Sequence, residues 1–300
     1  MKHFLKLADY TKEEITGLLD LADRLKAENK QGVAHPVLKG KTLGMIFQKS
    51  STRTRVSFEV GMAQLGGHAL FLSGRDLQLG RGEPIKDTAR VLSRYVDGIM
   101  IRTFAQQDVE DLAKYGSIPI INGLTDFAHP CQVLADLMTI REYKGKLAGL
   151  KLCFVGAGNN MANSLIAGCV KMGMKVAIAC PKGYEPDAEL TKWAEESGLL
   201  IVGQDILALA KDADVLYTDV WASMGEEAET EQRQKAFANF QVNDAVMAVA
   251  KPDAMVLHCL PAHRGEEITD EIMEAHANEI FDEAENRLHA QKAVMVKLMK

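Results

Sequence analysis

Apolar positions along the chain fall into two rhythms that alternate from start to finish. In 11–30, Ile15, Leu18, Leu19, Ala22 and Leu25 recur at helical spacing behind an acidic first turn, which predicts an amphipathic helix. The short apolar run 43–47 predicts a strand. Phe58, Met62 and Leu65 then predict a helix, and 69–72 a second strand. A helix through Ala89, Val91, Leu92, Tyr95 and Val96 leads to strands at 99–101 and 118–121, followed by a helix through Val133, Leu134, Leu137 and Met138. The segment 73–84, with Gly74, Gly80 and Gly82, has too little apolar content to pack; it is expected to be a mobile loop from which Gln78 and Arg81 can reach a ligand.

After the Gly145- and Gly149-bearing stretch 144–150 the pattern restarts. Strands are predicted at 151–155, 176–179, 200–202, 215–218 and 255–258. Helices are predicted from about Asn160 and over 187–197, 206–210 and 281–300. Strand alternating with helix implies parallel sheets whose ligands gather at the carboxyl ends of the strands. The expected fold is α/β, with two doubly wound parallel-sheet domains over 1–145 and 150–284. The terminal helix 285–300, through Leu288, Met295 and Leu298, returns to the first domain and brings Arg287 near the interdomain cleft.

With 300 residues there is room for two cores, and 47% hydrophobic with 25% charged residues is the composition of a globular protein. A net charge of −6 leaves no overall electrostatic footprint for nucleic acid. No apolar run approaches the ~20 residues that span a bilayer, and Met1-Lys2-His3-Phe4-Leu5 lacks the apolar core of a secretion signal, so a cytoplasmic protein is expected. The cysteines (Cys131, Cys153, Cys169, Cys180, Cys259) are odd in number and show no C-x-x-C spacing, which argues against a disulfide framework and a structural zinc site.

Polar chemistry collects at the predicted strand ends. Lys49-Ser50-Ser51-Thr52-Arg53-Thr54-Arg55 follows the 43–47 strand and opens a helix. Arginines in a first turn oppose the helix dipole, so free N–H groups, hydroxyls and guanidinium forks there suit a phosphate or carboxylate. A capped surface helix with solvated arginines is the plainer alternative. Arg102 leaves the 99–101 strand, and His129-Pro130-Cys131-Gln132 opens the next helix, with proline at a first-turn position that needs no N–H. A lone histidine before proline is more often structural; three such elements at one sheet edge are much less so. In Gly156-Ala157-Gly158-Asn159-Asn160-Met161, Met161 replaces the third glycine of a dinucleotide fingerprint, and the next strand ends in Cys180-Pro181-Lys182 without an acid for a ribose. The glycines are read as a tight turn presenting Asn159 and Asn160. Asp219-Val220-Trp221-Ala222-Ser223-Met224-Gly225 and His258-Cys259-Leu260-Pro261 end two further strands. Singly, Asp219 is as readily a helix cap and Cys259 a core residue.

Taken in order, these motifs make the chain resemble the aspartate/ornithine carbamoyltransferase family, from His3-Phe4-Leu5 to the terminal helix. The resemblance implies that Ser51, Thr52, Arg53 and Thr54 hold the phosphate of carbamoyl phosphate. It places Arg102, His129, Pro130, Cys131 and Gln132 around the carbamoyl group, with Gln78 and Arg287 on the same donor. It implies that Asn160, Asp219, Ser223 and Met224 bind ornithine, and that Cys259 and Leu260 lie where the δ-amine meets the donor. Arg102, His129, Asp219 and Cys259 are the catalytic set, with Arg53 and Arg55 assisting departure of phosphate. No metal or organic cofactor is implied, and the assembly is a homotrimer or a multiple of trimers. The aspartate-specific branch carries Pro-Leu-Pro where this chain has Cys259-Leu260-Pro261. Putrescine or N-acylated ornithine on the same fold, an NAD-dependent oxidoreductase using the Gly156 turn, and a catalytically silent paralogue are the competing functions.

Overall fold

The computed structural model describes residues 1–222 and 230–300. The chain divides into two compact units, residues 1–138 with 285–300, and residues 139–284. The division falls inside helices, whereas the sequence pattern changes at the glycine-bearing stretch 144–150.

The first unit contains α1 (Lys12–Lys30), β1 (Thr42–Phe47), α2 (Thr52–Gln64), β2 (His68–Ser73), α3 (Ile85–Leu92), β3 (Gly98–Arg102), α4 (Gln106–Tyr115), β4 (Ile120–Leu124) and the start of α5 (Pro130–Lys144). Its four strands are all parallel, in the order β2-β1-β3-β4. From β1 the chain winds outward to β2, then returns past β1 to β3 and β4. The winding therefore reverses between β1 and β3, and ligands of doubly wound sheets collect at such a point. β1 is buried along Leu43–Phe47, as a strand covered on both faces must be. The α1 start shows how an ordinary helix N-terminus is satisfied: Thr11 and Glu14 form a reciprocal capping box, with Glu13 and Glu14 in the first turn.

The second unit contains β5 (Lys151–Val155), α6 (Asn160–Lys171), β6 (Lys175–Ala179), α7 (Ala188–Glu196), β7 (Leu200–Gly203), α8 (Ile206–Ala210), β8 (Val215–Thr218), α9 (Thr230–Phe237), α10 (Asp244–Val249), β9 (Met255–His258), α11 (Asp270–Ala275) and the start of α12 (Ala277–Met299). Its parallel sheet runs β7-β6-β5-β8-β9, so here the winding reverses between β5 and β8. Val155, Leu216, Val256, Trp221 and Phe237 belong to one buried core, with Tyr184 edge-on to Phe237 at 4.8 Å. Burying each large apolar side chain contributes roughly 1.5–3 kcal/mol.

Among the described residues, four helices were not legible in the apolar rhythm. α4 buries only Val109 and Leu112, and α9, α10 and α11 are too short to develop a periodic stripe. β4 lies further along the chain than 118–121 because Asn122 and Gly123 interrupt its apolar run while remaining buried. The 73–84 segment contains a 3-10 turn, Gln78–Arg81. Among the described residues, no helix is long and apolar enough to cross a membrane.

The C-terminal part of α12 packs on the first unit, as the sequence predicts. Gly61 on α2 permits the approach: a Cβ there would lie 2.9 Å from Met295 Cε and 3.3 Å from Lys292 Cγ. Polar contacts fix its rotation. Lys292 Nζ donates to Gln64 Oε1 at 2.8 Å, and Lys26 Nζ to Asn286 Oδ1 at 2.8 Å. Burial lowers Lys292 to a pKa of about 8. Burial likewise lowers His289 to about 4, against the opposing pull of Glu285. An imidazole lowered from 6.5 takes up its proton in the unfolded chain first. Its share of stability is therefore complete above the unfolded value and is lost as pH falls from there through about 4. Thermal denaturation midpoints between pH 7 and 4 are expected to fall less steeply for His289→Gln than for the wild type; parallel curves would contradict this.

Candidate active site

At the reversal point of the first sheet, β1 delivers the Ser51–Arg55 turn. Ser51 caps α2 by accepting from the Thr54 N–H at 3.3 Å. By helix geometry the Thr52 and Arg53 N–H groups have no intrahelical acceptor. Unlike α1, this helix has no acid in its first turn, so its positive end is left uncompensated. Arg102 leaves β3 where the β3–β4 register shifts, between Ile101 and Arg102, an irregularity of the kind that re-aims a side chain. His129 precedes α5, whose first residue is Pro130.

Arg102, His129, Gln132, Thr54 and Arg287 are all buried. Arg287 donates from Nη1 to Gln132 Oε1 at 2.6 Å and from Nη2 to Thr54 Oγ1 at 3.2 Å. Gln291, one helical turn on, accepts from the Arg287 Nε at 3.1 Å and donates to Ser57 Oγ at 2.6 Å. Gln132 Nε2 in turn donates to Asp136 Oδ1 at 2.8 Å. Burial, then the charges of Arg287, Arg102 and Arg53, hold the His129 imidazole well below its usual range. His129 is consequently a neutral N–H donor among guanidinium groups, an arrangement suited to a dianionic phosphate joined to a carbonyl oxygen.

Not every predicted member joins this set. Arg55 is exposed, lies over the Phe71 ring at 3.7 Å and pairs with Glu59 at 3.0 Å. Cys131 turns inward and donates to the Asn122 carbonyl at 3.4 Å, and burial pushes its thiol up to about 12. Gln78 is exposed on its 3-10 turn, outside the buried cluster. Ser223 and Met224 lie outside the described residues.

In the second unit, Asp219 stands at the end of β8, beside the reversal point, and is buried. Its Oδ1 accepts from Cys259 Sγ at 3.1 Å and from the Val220 N–H at 2.8 Å; its Oδ2 accepts from Asn159 Nδ2 at 2.9 Å. Asn159 also caps α6 through the Met161 and Ala162 N–H groups, and Asn160 is the first residue of that helix. Below Cys259, His258 Nε2 meets Glu267 Oε1 at 3.0 Å, while its Nδ1 accepts from the Leu260 N–H at 2.9 Å. That bond anchors Leu260 in a left-handed conformation, φ 57°, which a branched residue rarely adopts. His263, Glu266 and Glu267 offer ligand atoms within 4.8 Å of one another, but His263 is exposed and Glu267 already serves His258 and the His263 N–H.

The glycine turn is filled by the chain itself. A Cβ at Gly158 would lie 2.1 Å from Pro186 N, so the close approach that a pyrophosphate needs is already occupied by the protein's own backbone. The α6 N-terminus is likewise capped by Asn159. Asn159, Gln291, Ser57 and Asp136 act by holding the expected residues. Only Asn159, inside the glycine turn, and Gln291, four residues after Arg287, had a sequence signal.

Comparison with known proteins makes this α/β chain an enzyme of the carbamoyltransferase class. The chain belongs to the aspartate/ornithine carbamoyltransferase family: residues 2–142 match its carbamoyl-P binding domain and residues 148–298 its Asp/Orn binding domain. The ornithine carbamoyltransferase of Geobacter sulfurreducens is 56% identical, with 100% of each chain covered. The solved ornithine carbamoyltransferase of Pyrococcus furiosus is 57% identical with a TM-score of 0.95, covering 99% of this chain and 97% of that one. The relative from that organism named "Ornithine carbamoyltransferase, anabolic" is also 57% identical, over 99% of this chain and 96% of its own.

Gly158→Ala is expected to lower stability by about 1–3 kcal/mol or more in chemical denaturation. NAD is expected to leave the melting temperature of the wild type unchanged. A harmless alanine, or stabilisation by NAD, would contradict the filled turn.

Proposed function

We propose that the protein transfers the carbamoyl group of carbamoyl phosphate to the δ-amine of L-ornithine, giving L-citrulline and phosphate in arginine biosynthesis. The observation that carries this reading is the buried association of Arg102, His129, Arg287, Gln132 and Thr54 beside an α2 N-terminus without an acid. Ser51, Thr52, Arg53 and the free first-turn N–H groups hold the phosphate. Arg102, neutral His129 and Thr54 donate to the carbamoyl oxygen. Arg287 is stretched between Thr54 and Gln132 and ties both ends of the donor to one side chain.

The amine belongs to Asp219 and Cys259, whose carboxylate and thiol are linked and whose carboxylate is fixed by Asn159. Asn160, Ser223 and Met224 recognise the amino-acid end of ornithine. The δ-ammonium must lose a proton before it attacks, and Asp219 is the acceptor that orients it. The neutral nitrogen then adds to the carbamoyl carbon and an oxyanion forms. The C–O bond to phosphate breaks as the departing phosphate takes up the nitrogen's second proton. One preorganised oxyanion donor is worth about 3–4 kcal/mol, and holding both substrates in line adds roughly 7–11 kcal/mol. The residues form this chemistry without metal or organic cofactor.

The same reading includes a cytoplasmic protein assembled as a trimer or multiple of trimers. An apolar edge supports assembly: β2 is an edge strand and exposes Leu70 and Phe71, and α2 exposes Val56 and Val60.

Purified protein given carbamoyl phosphate and L-ornithine is expected to release citrulline, with slower turnover of putrescine and N-acetylornithine. Arg102→Met is expected to lower kcat by about 10²–10³ with an unchanged circular dichroism spectrum. Preference for another amine would overturn the acceptor, and full activity of the Arg102 variant would overturn the donor site.

A further inference from the structure

Three strand ends supply the donor set, and two of them bring arginines close together. Ser51–Arg55 follows β1, Arg102 ends β3 and His129 follows β4. Beside them lies a contact that this chemistry does not use. Lys49, from the β1 end, is buried, with 7% side-chain exposure, whereas its partner Asp126 is 61% exposed. The Lys49 ammonium pairs with the Asp126 carboxylate and lies over the Phe104 ring, 4.4 Å from its centre. Phe104 follows β3, and its carbonyl accepts from the Asp126 N–H at 2.8 Å. Lys49, Phe104 and Asp126 thus come one from each strand end.

Backbone bonds continue the same join. Gln48 N–H donates to the Arg102 carbonyl at 2.9 Å, and Thr103 N–H to the Leu124 carbonyl at 3.0 Å. The Thr103 hydroxyl donates to Gln48 Oε1. A buried ammonium between a carboxylate and an aromatic face is geometrically demanding, and its stem would be free to leave were it only solvating itself.

We propose that Lys49, with Phe104 and Asp126, is a positioning clasp that holds the three donor-binding loops in register before substrate arrives. Without it, mutual repulsion among Arg53, Arg102 and Arg287 spreads the loops, and the donor must supply the ordering itself. The inference rests on the assignment of this site to carbamoyl phosphate. A different role for Lys49, as a direct phosphate ligand neutralised by Asp126, makes the opposite demand on Asp126: removing the acid's charge would free the lysine and tighten the donor.

The test measures steady-state citrulline formation by the full chain at saturating ornithine, with carbamoyl phosphate varied, for wild type, Lys49→Met, Lys49→Arg, Asp126→Asn and the Lys49→Met/Asp126→Asn pair. The clasp requires KM for carbamoyl phosphate to rise about tenfold in Lys49→Met and also in Asp126→Asn, with kcat nearly unchanged. The double variant should be no worse than the poorer single one, and Lys49→Arg should recover most of the affinity. A lower or unchanged KM in Asp126→Asn, or equal loss of kcat and affinity, overturns the clasp. Asp126→Asn alters an exposed side chain and so keeps the test open should Lys49→Met misfold. A wild type that forms no citrulline would instead sink the donor assignment.

Discussion

Positive groups crowded at the ends of two neighbouring strands, β1 and β3, and on the adjoining α12 are the constraint to which the first unit answers. Arg102 and Arg287 are buried, Arg53 is close enough to act on His129, and α2 adds its own positive end. Such a cluster costs free energy in an empty protein, through desolvation and through repulsion. The structure offsets part of that cost with neutral acceptors: Gln132, Gln291 and Thr54 take the hydrogen bonds of Arg287 without cancelling its charge. A carboxylate in their place would satisfy the guanidinium and compete with an incoming phosphate. His129 relieves the crowding by remaining neutral, which also makes it a donor rather than a further cation.

The second unit uses the opposite economy. Its focus is one buried carboxylate, Asp219, surrounded by the donors Asn159, Val220 N–H and Cys259. The chain holds that carboxylate from the ends of β5, β8 and β9. Both sets therefore lie where a doubly wound sheet reverses, one rich in arginine and the other centred on a carboxylate. That division fits a reaction in which an electrophile and a nucleophile must each be gripped by groups of opposite sign.

Much of this was legible before any coordinates, because parallel strands leave near-continuous apolar runs and their ends are marked by abrupt polarity. The 43–47 run followed by Lys49–Arg55 needed no structure to be read as a strand and a helix start. Side-chain direction was less accessible. Arg53 and Arg55 lie two residues apart on one helix and so leave it in different directions, which puts Arg55 on Phe71 and Glu59. Cys131 follows Pro130 on α5 and points toward β4, where it meets Asn122. The resemblance named residues in chain order, but it carried no rotation about the helix axis. Polar supports such as Asp136 and Ser57 look like ordinary helix-surface residues until the fold brings their partners to them.

Binding of carbamoyl phosphate in the absence of any amine tests the central claim most directly, since Thr54, Arg102, His129, Gln132 and Arg287 all belong to the first unit. Calorimetric titration of the wild type and Arg287→Met, at low and at moderate ionic strength, separates charge from shape. Saturable binding that weakens with salt and is largely lost in the variant is the expected result. Equal binding by the two proteins, or none by the wild type until an amine is added, would contradict it.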